Sequence, residues 1–584
     1  MRIIKYQLKC ERDPNLSVLE QIFKNREITD VYHYLHTTDK DILNPLLLDN
    51  MERGAKMLVS HIHANDNIFI QVDADCDGYT SSAILLNYLH KVCPYFTENN
   101  IYYAFHATKA HGIDYDNFPK GVDIKLVIAP DSSSNQKQEH EELKAKGIDV
   151  LVIDHHHSNE EGSPACIINN QLCDYDNKSL SGAGVVFKFC QYLDSLLGIN
   201  YSDDLLDLAA LGIIADVMPF NHYETRRLID KGTKNLKNPF IMAMADKNAY
   251  SMNNKVTPTG IAWYIAPSIN SITRVGTLTE KRVLFEAMLD YKAYNQIASI
   301  KRGHKPGETE SVVEQAVRMC TNAKKKQNDM RDKALPQIAQ IIEDEGLLNN
   351  KILIIRLNFE ADRALTGLIA NKIMDIYKRP TLILNKVVDE DKIVHWDGSG
   401  RNCPNPDFRD LRAFLEESSL VTYAEGHAGA FGVSILEDNI QKLNEYANEK
   451  LADIEFQNVY EPDVIFDQYN LYGADILSVA SLDWVWGQGV SEPLIAIEGL
   501  PVTAGNLDFY RGTTIKITPK DLDDTGLSLI MFGADEEIYD SLYSPYGCVY
   551  INIVGHCAIN AYSGGAPQIK IKDFEIVRKQ DYYF

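Results

Sequence analysis

The chemistry this chain can do is concentrated in three short clusters of acid and histidine. They are VDADCDG at Val72–Gly78, APDSSSN at Ala129–Asn135 and VIDHHHSN at Val152–Asn159. A further carboxylate, Asp216, lies in the apolar stretch DLAALGIIADVMP over Asp207–Pro219. Carboxylates with imidazole at one locus suit a pair of hard-to-borderline divalent cations such as manganese or magnesium. A thiol fits poorly among oxygen ligands, so Cys76 is set aside as a ligand although it lies inside the first cluster.

Asp73, Asp75, Asp131, Asp154, His155 and His156 lie far apart along the chain, so the fold must bring them together. Each cluster follows an apolar, largely β-branched run: Ile68–Ile70, Leu126–Ile128 and Val150–Ile153. Such runs read as buried strands of a parallel sheet. The acids then sit at the carboxyl ends of strands, where open α/β sheets bind their ligands. For any one cluster there is a plainer reading in turn chemistry and helix capping. On that reading Asp77-Gly78 makes a tight turn and Thr80 or Ser81 caps the next helix. Three clusters at strand ends, followed by Asp216 as a fourth locus, favour the site over the turns.

At 584 residues the chain is too long for one core. Residues 1–60 read as a helical preamble. Over residues 61–275 strands alternate with helical segments such as Ser81–Val92, Glu139–Lys146 and Val185–Leu197, the rhythm of a parallel sheet with helices on both faces. Residues 276–348 are charged with few breakers and read as a helical connector. Lys351–Leu357 restarts strand character and opens a second α/β unit over 349–456. In 457–584, strand-like runs at Leu494–Ile497, Thr513–Ile517, Leu527–Phe532, Cys548–Val554 and Gln568–Ile571 suit a small barrel of the OB type.

Fifty-eight basic against eighty-two acidic residues give a net charge of −24, the wrong sign for gripping phosphate along a broad surface. Cations at the acid clusters would neutralise part of the excess. Basic residues concentrate at Lys301-Arg302, His304-Lys305 and from Arg318 to Arg331, either a solvated helix face or the wall of a groove for a nucleic-acid backbone. The 45% hydrophobic content is ordinary for a globular chain, and no stretch is long and apolar enough for a membrane span. The start, MRIIKYQLKCERD, meets charge too early for a signal peptide, and ten scattered cysteines form no CxxC pair. These features fit a reducing, cytoplasmic setting and no membrane.

The order DxDxDG, Asp, DHH and ADVMP resembles the DHH phosphoesterase superfamily, and within it the RecJ exonucleases. Ser181–Lys188 (SGAGVVFK) is similar to the segment that follows the DHH motif, and Ala266–Val275 (APSINSITRV) to RecJ's APRLNAAGRM stretch. Gly398–Arg401 (GSGR) and Gly426–Gly432 (GHAGAFG) resemble the signature of the associated DHHA1 domain. Trp486–Pro493 (WGQGVSEP) resembles the lead-in to RecJ's OB-fold. The resemblance makes 61–275 a DHH domain, 349–456 a DHHA1 domain and 457–584 an OB-fold-like domain.

The resemblance also implies roles. Asp131 would bridge two cations, Asp73 would serve one, and Asp75, His155 and Asp216 the other. Asp154 would orient an imidazole, leaving His156 to touch the scissile phosphate or protonate the leaving oxygen. Asp77 would be a further supporting acid or only a turn former, the turn being the expected role. Asn270, Arg274, Gly398, Ser399, Gly400, Arg401, Gly426 and His427 would bind substrate, with Arg401 presenting its planar fork from a Gly-Ser-Gly turn. Read alone, His427 would be a packed core histidine. Two departures stand out. Gln71 occupies the place of the usual histidine two residues before the first Asp, so the first cation would be held more loosely. Asp362, within Glu360–Ala364, stands where RecJ has the histidine of its WHPG segment.

The resemblance implies an exonuclease that uses manganese or magnesium to degrade single-stranded DNA from the 5′ end in repair or recombination, fed by a helicase or single-strand-binding protein. An alternative is a phosphodiesterase for short oligonucleotides or cyclic dinucleotides, which would not need a barrel that binds several nucleotides. Another is a non-catalytic single-strand-binding scaffold, which would be expected to have lost ligand residues. Tyr510, Arg511 and Tyr562 are candidate contacts on the barrel.

Overall fold

The computed structural model describes residues 4–108, 110–359, 365–389, 391–403, 405, 407–456, 459–467, 469–519, 526–560 and 563–581. Asp362 and Tyr562 lie outside the described residues. The chain forms two compact units. One comprises Arg26–Lys324 with Leu482–Glu492, and the other Met1–Asn25, Lys325–Ser481 and Pro493–Phe584.

The first unit is built on a five-stranded, wholly parallel sheet. Its spatial order is Ile101–Phe105, Asn67–Val72, Ile124–Pro130, Asp149–Asp154, Cys166–Asn169. Phe69, Val127, Val150 and Val152 feed one core layer together with Leu143 of the helix Lys137–Ala145. The alternate residues Ile68, Ile70, Leu126, Ile128, Leu151 and Ile153 are equally buried. Burial on both faces is why these strands read as continuous apolar runs rather than alternating ones. The helices Cys76–Val92, Gly182–Leu197 and Leu206–Ala215 pack against one another. The strand order reverses between Asn67–Val72 and Ile124–Pro130, and a crevice for ligands opens at the carboxyl ends of such a pair.

The first acidic cluster is not a tight turn. Cys76-Asp77-Gly78 is already the first turn of the helix Cys76–Val92, which Asp75 caps by accepting from the N–H groups of Asp77 and Gly78. Thr80 and Ser81 are buried inside that helix and do not cap it. The stretch 276–348, expected to be a helical connector, is helical only in part. It contains the helix Leu278–Met288, a small hairpin pairing Gln296–Ala298 with Thr309–Ser311, and the helix Val312–Asp344. Lys301, Arg302, His304 and Lys305 therefore lie in the hairpin loop, and Arg318 is held by Glu310 rather than presented on a solvated face. The division between the two units falls inside the helix Val312–Asp344.

The second unit holds a mixed five-stranded sheet in the order Val421–His427, Ala430–Leu436, Val394–Arg401, Thr381–Val388, Leu353–Arg356. It also holds a seven-stranded sheet. There Leu494–Val502 pairs with Gly547–Asn560, which pairs with Ala566–Asp581. Ala566–Asp581 runs parallel to Ser528–Phe532, followed across the sheet by Thr514–Ile517 and Leu507–Tyr510. A turn at 503–506 joins Leu494–Val502 to Leu507–Tyr510 at the far side of this order, Val464–Asp467 adds the seventh strand parallel to Leu494–Val502, and the sheet fits an OB-like fold. The N-terminal stretch is not purely helical: Lys5–Tyr6 is a strand paired with Val459–Tyr460 of this unit.

Candidate metal centre

Four chain segments converge at the carboxyl edge of the parallel sheet. Asp73 follows the strand Asn67–Val72, Asp131 follows Ile124–Pro130, Asp154 ends Asp149–Asp154, and Asp216 caps the carboxyl end of the helix Leu206–Ala215. Asp131 has φ of +65° and Val217, beside Asp216, has φ of +59°. Non-glycine residues in this region store roughly 1–3 kcal/mol of strain each and concentrate at functional sites. Close approach of Asp131 is possible because Gly182 opens the next helix: a Cβ there would sit 2.3 Å from Asp131 Oδ1. Gly212 makes the same room for Asp77.

The Nε2 atom of His155 lies at the centre of the acids, 3.3 Å from Asp131 Oδ1, 3.4 Å from Asp216 Oδ2 and 3.9 Å from Asp77 Oδ2. Asp131 Oδ1 and His155 Nε2 are both buried without a hydrogen-bond partner. Buried polar atoms in native proteins almost always find partners, so two orphans facing each other mark a place for an absent group. Burial, then the charges of Asp77, Asp75, Asp73 and Asp216, push the Asp131 carboxyl far above its ordinary range. Asp216 is raised in the same way by burial, Asp77 and Asp75, while burial lowers His155. Three overlapping groups each offer ligand atoms within 4.8 Å of one another: Asp73 with Asp75 and Asp131, Asp131 with His155 and His156, and Asp77 with His155 and Asp216. Oxygen-rich groups with one or two imidazoles fit manganese or magnesium.

This geometry differs from the expected partition, since Asp75 stands beside Asp73 and Asp131, and Asp77 stands with His155 and Asp216. Asp77, expected to form a turn, is a buried carboxylate. It accepts from Ser181 Oγ at 2.8 Å, Gly182 N at 2.7 Å and Ala183 N at 3.2 Å, so it ties the acidic cluster to the SGAG segment.

Asp154 is fully buried and accepts from the backbone N–H of His155 at 2.7 Å, His156 at 3.2 Å and Ser134 at 3.1 Å. Its Oδ1 also lies 2.8 Å from His156 Nδ1. Burial works against this carboxylate, but the His156 contact and the two histidine charges prevail and hold its pKa well below the usual range. Burial likewise opposes the His156 charge, yet the Asp154 hydrogen bond and nearby carboxylates lift that imidazole to about 9. The His156 ring remains 55% exposed, where it can meet a substrate.

Gln71 is turned elsewhere. Its amide oxygen accepts from Asn117, and its nitrogen lies against the Val72 and Ala104 carbonyls. Asp73 is gripped instead by a pair of residues that the sequence did not single out: His111 Nδ1 lies 2.6 Å from its Oδ2, and Gly112 N 3.2 Å from its Oδ1.

Of the candidate substrate residues, Asn270 and Arg274 lie on the helix Ala266–Val275 of the first unit. Asn270 Oδ1 accepts from Cys76 N at 2.9 Å, so it steadies the start of the acidic helix. Arg274 Nε is buried without a hydrogen-bond partner, an orphan donor suited to an anion. The other candidates belong to the second unit. Gly398–Arg401 lies within the strand Val394–Arg401, not on a turn. Arg401 and Gly426–His427 flank the strand Ala430–Leu436 from opposite sides, Arg401 and His427 both in register with Ala430. His427 is exposed, which sets aside a packed core role.

Residues 67–213 match the model of the DHH family, N-terminal domain. An SPbeta-prophage-derived protein of Bacillus subtilis, with the proposed name single-strand DNA-specific exonuclease YorK, is 34% identical over 581 residues, covering 98% of this chain and 99% of that protein. The chain belongs to the RecJ-type branch of the DHH superfamily. The single-stranded-DNA-specific exonuclease RecJ of the same bacterium is 24% identical over 554 residues, 92% of this chain and 65% of its own length. The crystal structure of RecJ in complex with Mn2+ from Thermus thermophilus superposes with a TM-score of 0.69 at 19% identity, covering 98% of this chain and 79% of that one. The Mg2+ complex of the same protein gives 0.63 at 18% identity, covering 96% and 74%. Both likenesses bear on the fold.

Proposed function

We propose that the protein is a metal-dependent exonuclease that hydrolyses single-stranded DNA from the 5′ end, in the cytoplasm, during repair or recombination. The observation that carries the reading is the pair of orphaned buried atoms, Asp131 Oδ1 and His155 Nε2, ringed by Asp73, Asp75, Asp77 and Asp216. In a RecJ-type chain this arrangement is a holder for two divalent cations, manganese or magnesium. Asp131 and His155 each belong to two of the three ligand groups, and the Asp131 carboxylate, with two oxygens to offer, is the proposed ligand that would serve both cations. Bound there, such a pair supplies an activated water and neutralises charge on the phosphoryl oxygens.

The remaining work falls to the chain's own side chains. Asp154 fixes the orientation and charge of His156, whose exposed ring donates a proton toward the leaving oxygen. Asp77 locks the helix bearing the first acids to the Ser181–Ala183 segment. Arg274, Arg401 and His427 are proposed phosphate contacts, and the OB-like barrel a platform for several nucleotides of single strand. A helicase or single-strand-binding protein is the proposed supplier of substrate. Digestion of end-labelled single strands with manganese, magnesium or chelator tests the reading. Mononucleotide release from the 5′ label that chelator abolishes is expected. Release from the 3′ label overturns the polarity, and activity in chelator overturns the metal dependence.

A further inference from the structure

We propose that His111 is a positioning residue of the first cation site, holding the Asp73 carboxylate so that it faces Asp75 and Asp131. The inference rests on the reading that these three acids hold a cation. Asp73 is fully buried, and adjacent residues of one loop take both of its oxygens: His111 through Nδ1 at 2.6 Å and Gly112 through its backbone N–H at 3.2 Å. Each carboxylate oxygen keeps a second lone-pair direction, so this grip fixes the group without closing it to a cation. Carboxylates that ligate metals are commonly held by such outer hydrogen bonds.

The loop is itself anchored to the other side of the site. Ile113 N donates to Gln136 Oε1 at 2.6 Å and to Ser133 Oγ at 3.2 Å, and Ser133 lies in the same left-handed turn as Asp131. His111 therefore couples the position of Asp73 to the turn that carries Asp131. Among the described residues, His111 provides the imidazole in hydrogen-bond contact with Asp73, whereas the Gln71 amide is spent on Asn117 and backbone carbonyls. The His111 ring is 53% exposed, so it can be replaced without opening a core cavity.

The test is manganese titration of the full chain, followed by calorimetry and by the electron-paramagnetic-resonance signal of free manganese. His111→Ala is expected to weaken one of two equivalents by about ten- to a hundredfold, the usual effect of losing an outer-shell partner. His111→Asn keeps an N–H donor near the Nδ1 position and is expected to restore most of that affinity. His111→Ala binding both equivalents as the unaltered protein does would overturn the inference. So would His111→Asn binding as weakly as His111→Ala, since the ring would then do more than donate. Should His111→Ala not fold, the Asn variant alone decides: near-native affinity supports the positioning role and a hundredfold loss ends it. Failure of the unaltered protein to bind a cation pair would fault the reading beneath the inference instead.

Discussion

Asp131→Asn separates the cost of the metal centre from its use. The substitution keeps the side chain's shape, removes one charge from a buried cluster, and suits the backbone, because Asn tolerates a φ of +65° better than most residues. Asp131 Oδ1 has no hydrogen-bond partner, and leaving such a group buried costs about 1–3 kcal/mol, more when it is charged. The amide keeps an unpartnered oxygen there but not its charge, so without cations, at pH values where Asp131 is ionised, the Asn variant should be more stable by on the order of 1 kcal/mol. At about 2–4 °C per kcal/mol for a unit of this size, the midpoint should rise by a few degrees. The sign depends on pH. The Asp131 carboxyl has a raised pKa, so its protonated form is favourable at low pH and that stability is lost as pH rises through the folded value. The variant's advantage in chelator should thus grow from acid toward alkaline pH. Added manganese should reverse the ranking, raising the midpoint of the unaltered protein but not of the variant. Thermal unfolding at several pH values, with chelator or manganese, reads all of this. A variant less stable than the parent in chelator at pH 8, or one that still gains the parent's manganese-dependent shift, would refute the reasoning.

His156→Ala should lower turnover by about 10²–10⁴-fold with manganese affinity little changed, whereas His155→Ala should lose both; equal losses of affinity by calorimetry would mean the two roles are misassigned. Asp154→Asn should bring the His156 pKa down from about 9 toward its ordinary value, read by NMR titration in chelator, because the Asp154 contact is the leading influence that raises it. Manganese binding should strengthen as pH rises, since the raised pKa of Asp131 and Asp216 lets protons compete with the cation to higher pH than at ordinary carboxyls; titration in buffers of different ionisation enthalpy counts any protons released. Tyr510→Ala should weaken binding of long single strands by about 1–3 kcal/mol while leaving dinucleotide cleavage unchanged, because this half-exposed ring beside the Arg511 turn is placed to stack on a base.

Much of the site was legible because its parts announce themselves locally. β-Branched runs ending in Asp placed Asp73, Asp131 and Asp154 at strand ends, and the sheet order then brings them together. Asp77 was misread because Asp-Gly is good turn chemistry, and only the position of the Asp75 cap decides that the helix has already begun. His111 left no signal, lying on an irregular loop where no periodicity marks a side chain aimed at Asp73. The strands Leu507–Tyr510 and Val464–Asp467 were not singled out in the sequence, although Thr514–Ile517, equally short, was. That Lys5–Tyr6 pairs with Val459–Tyr460 is a tertiary fact with no counterpart in local pattern.

The short segment Leu482–Glu492 belongs to the unit that carries the carboxylates, although the rest of that unit ends at Lys324. Gln488 O accepts from Phe220 N at 2.8 Å, Ser491 O accepts from Arg26, and Trp484 packs under the Arg226 guanidinium. Trimming the chain at Pro462 would therefore strip the catalytic unit as well as the barrel. During translation the ribosome makes the acids early and this closing strip late, with the intervening stretch, most of it belonging to the other unit, emerging in between. Domains generally fold as they emerge, at about 5–20 residues per second, so the parallel-sheet unit waits on the order of ten seconds for its last piece. In a nuclease assembled on this schedule, the unit that carries the acids is complete only once Glu492 has left the ribosome.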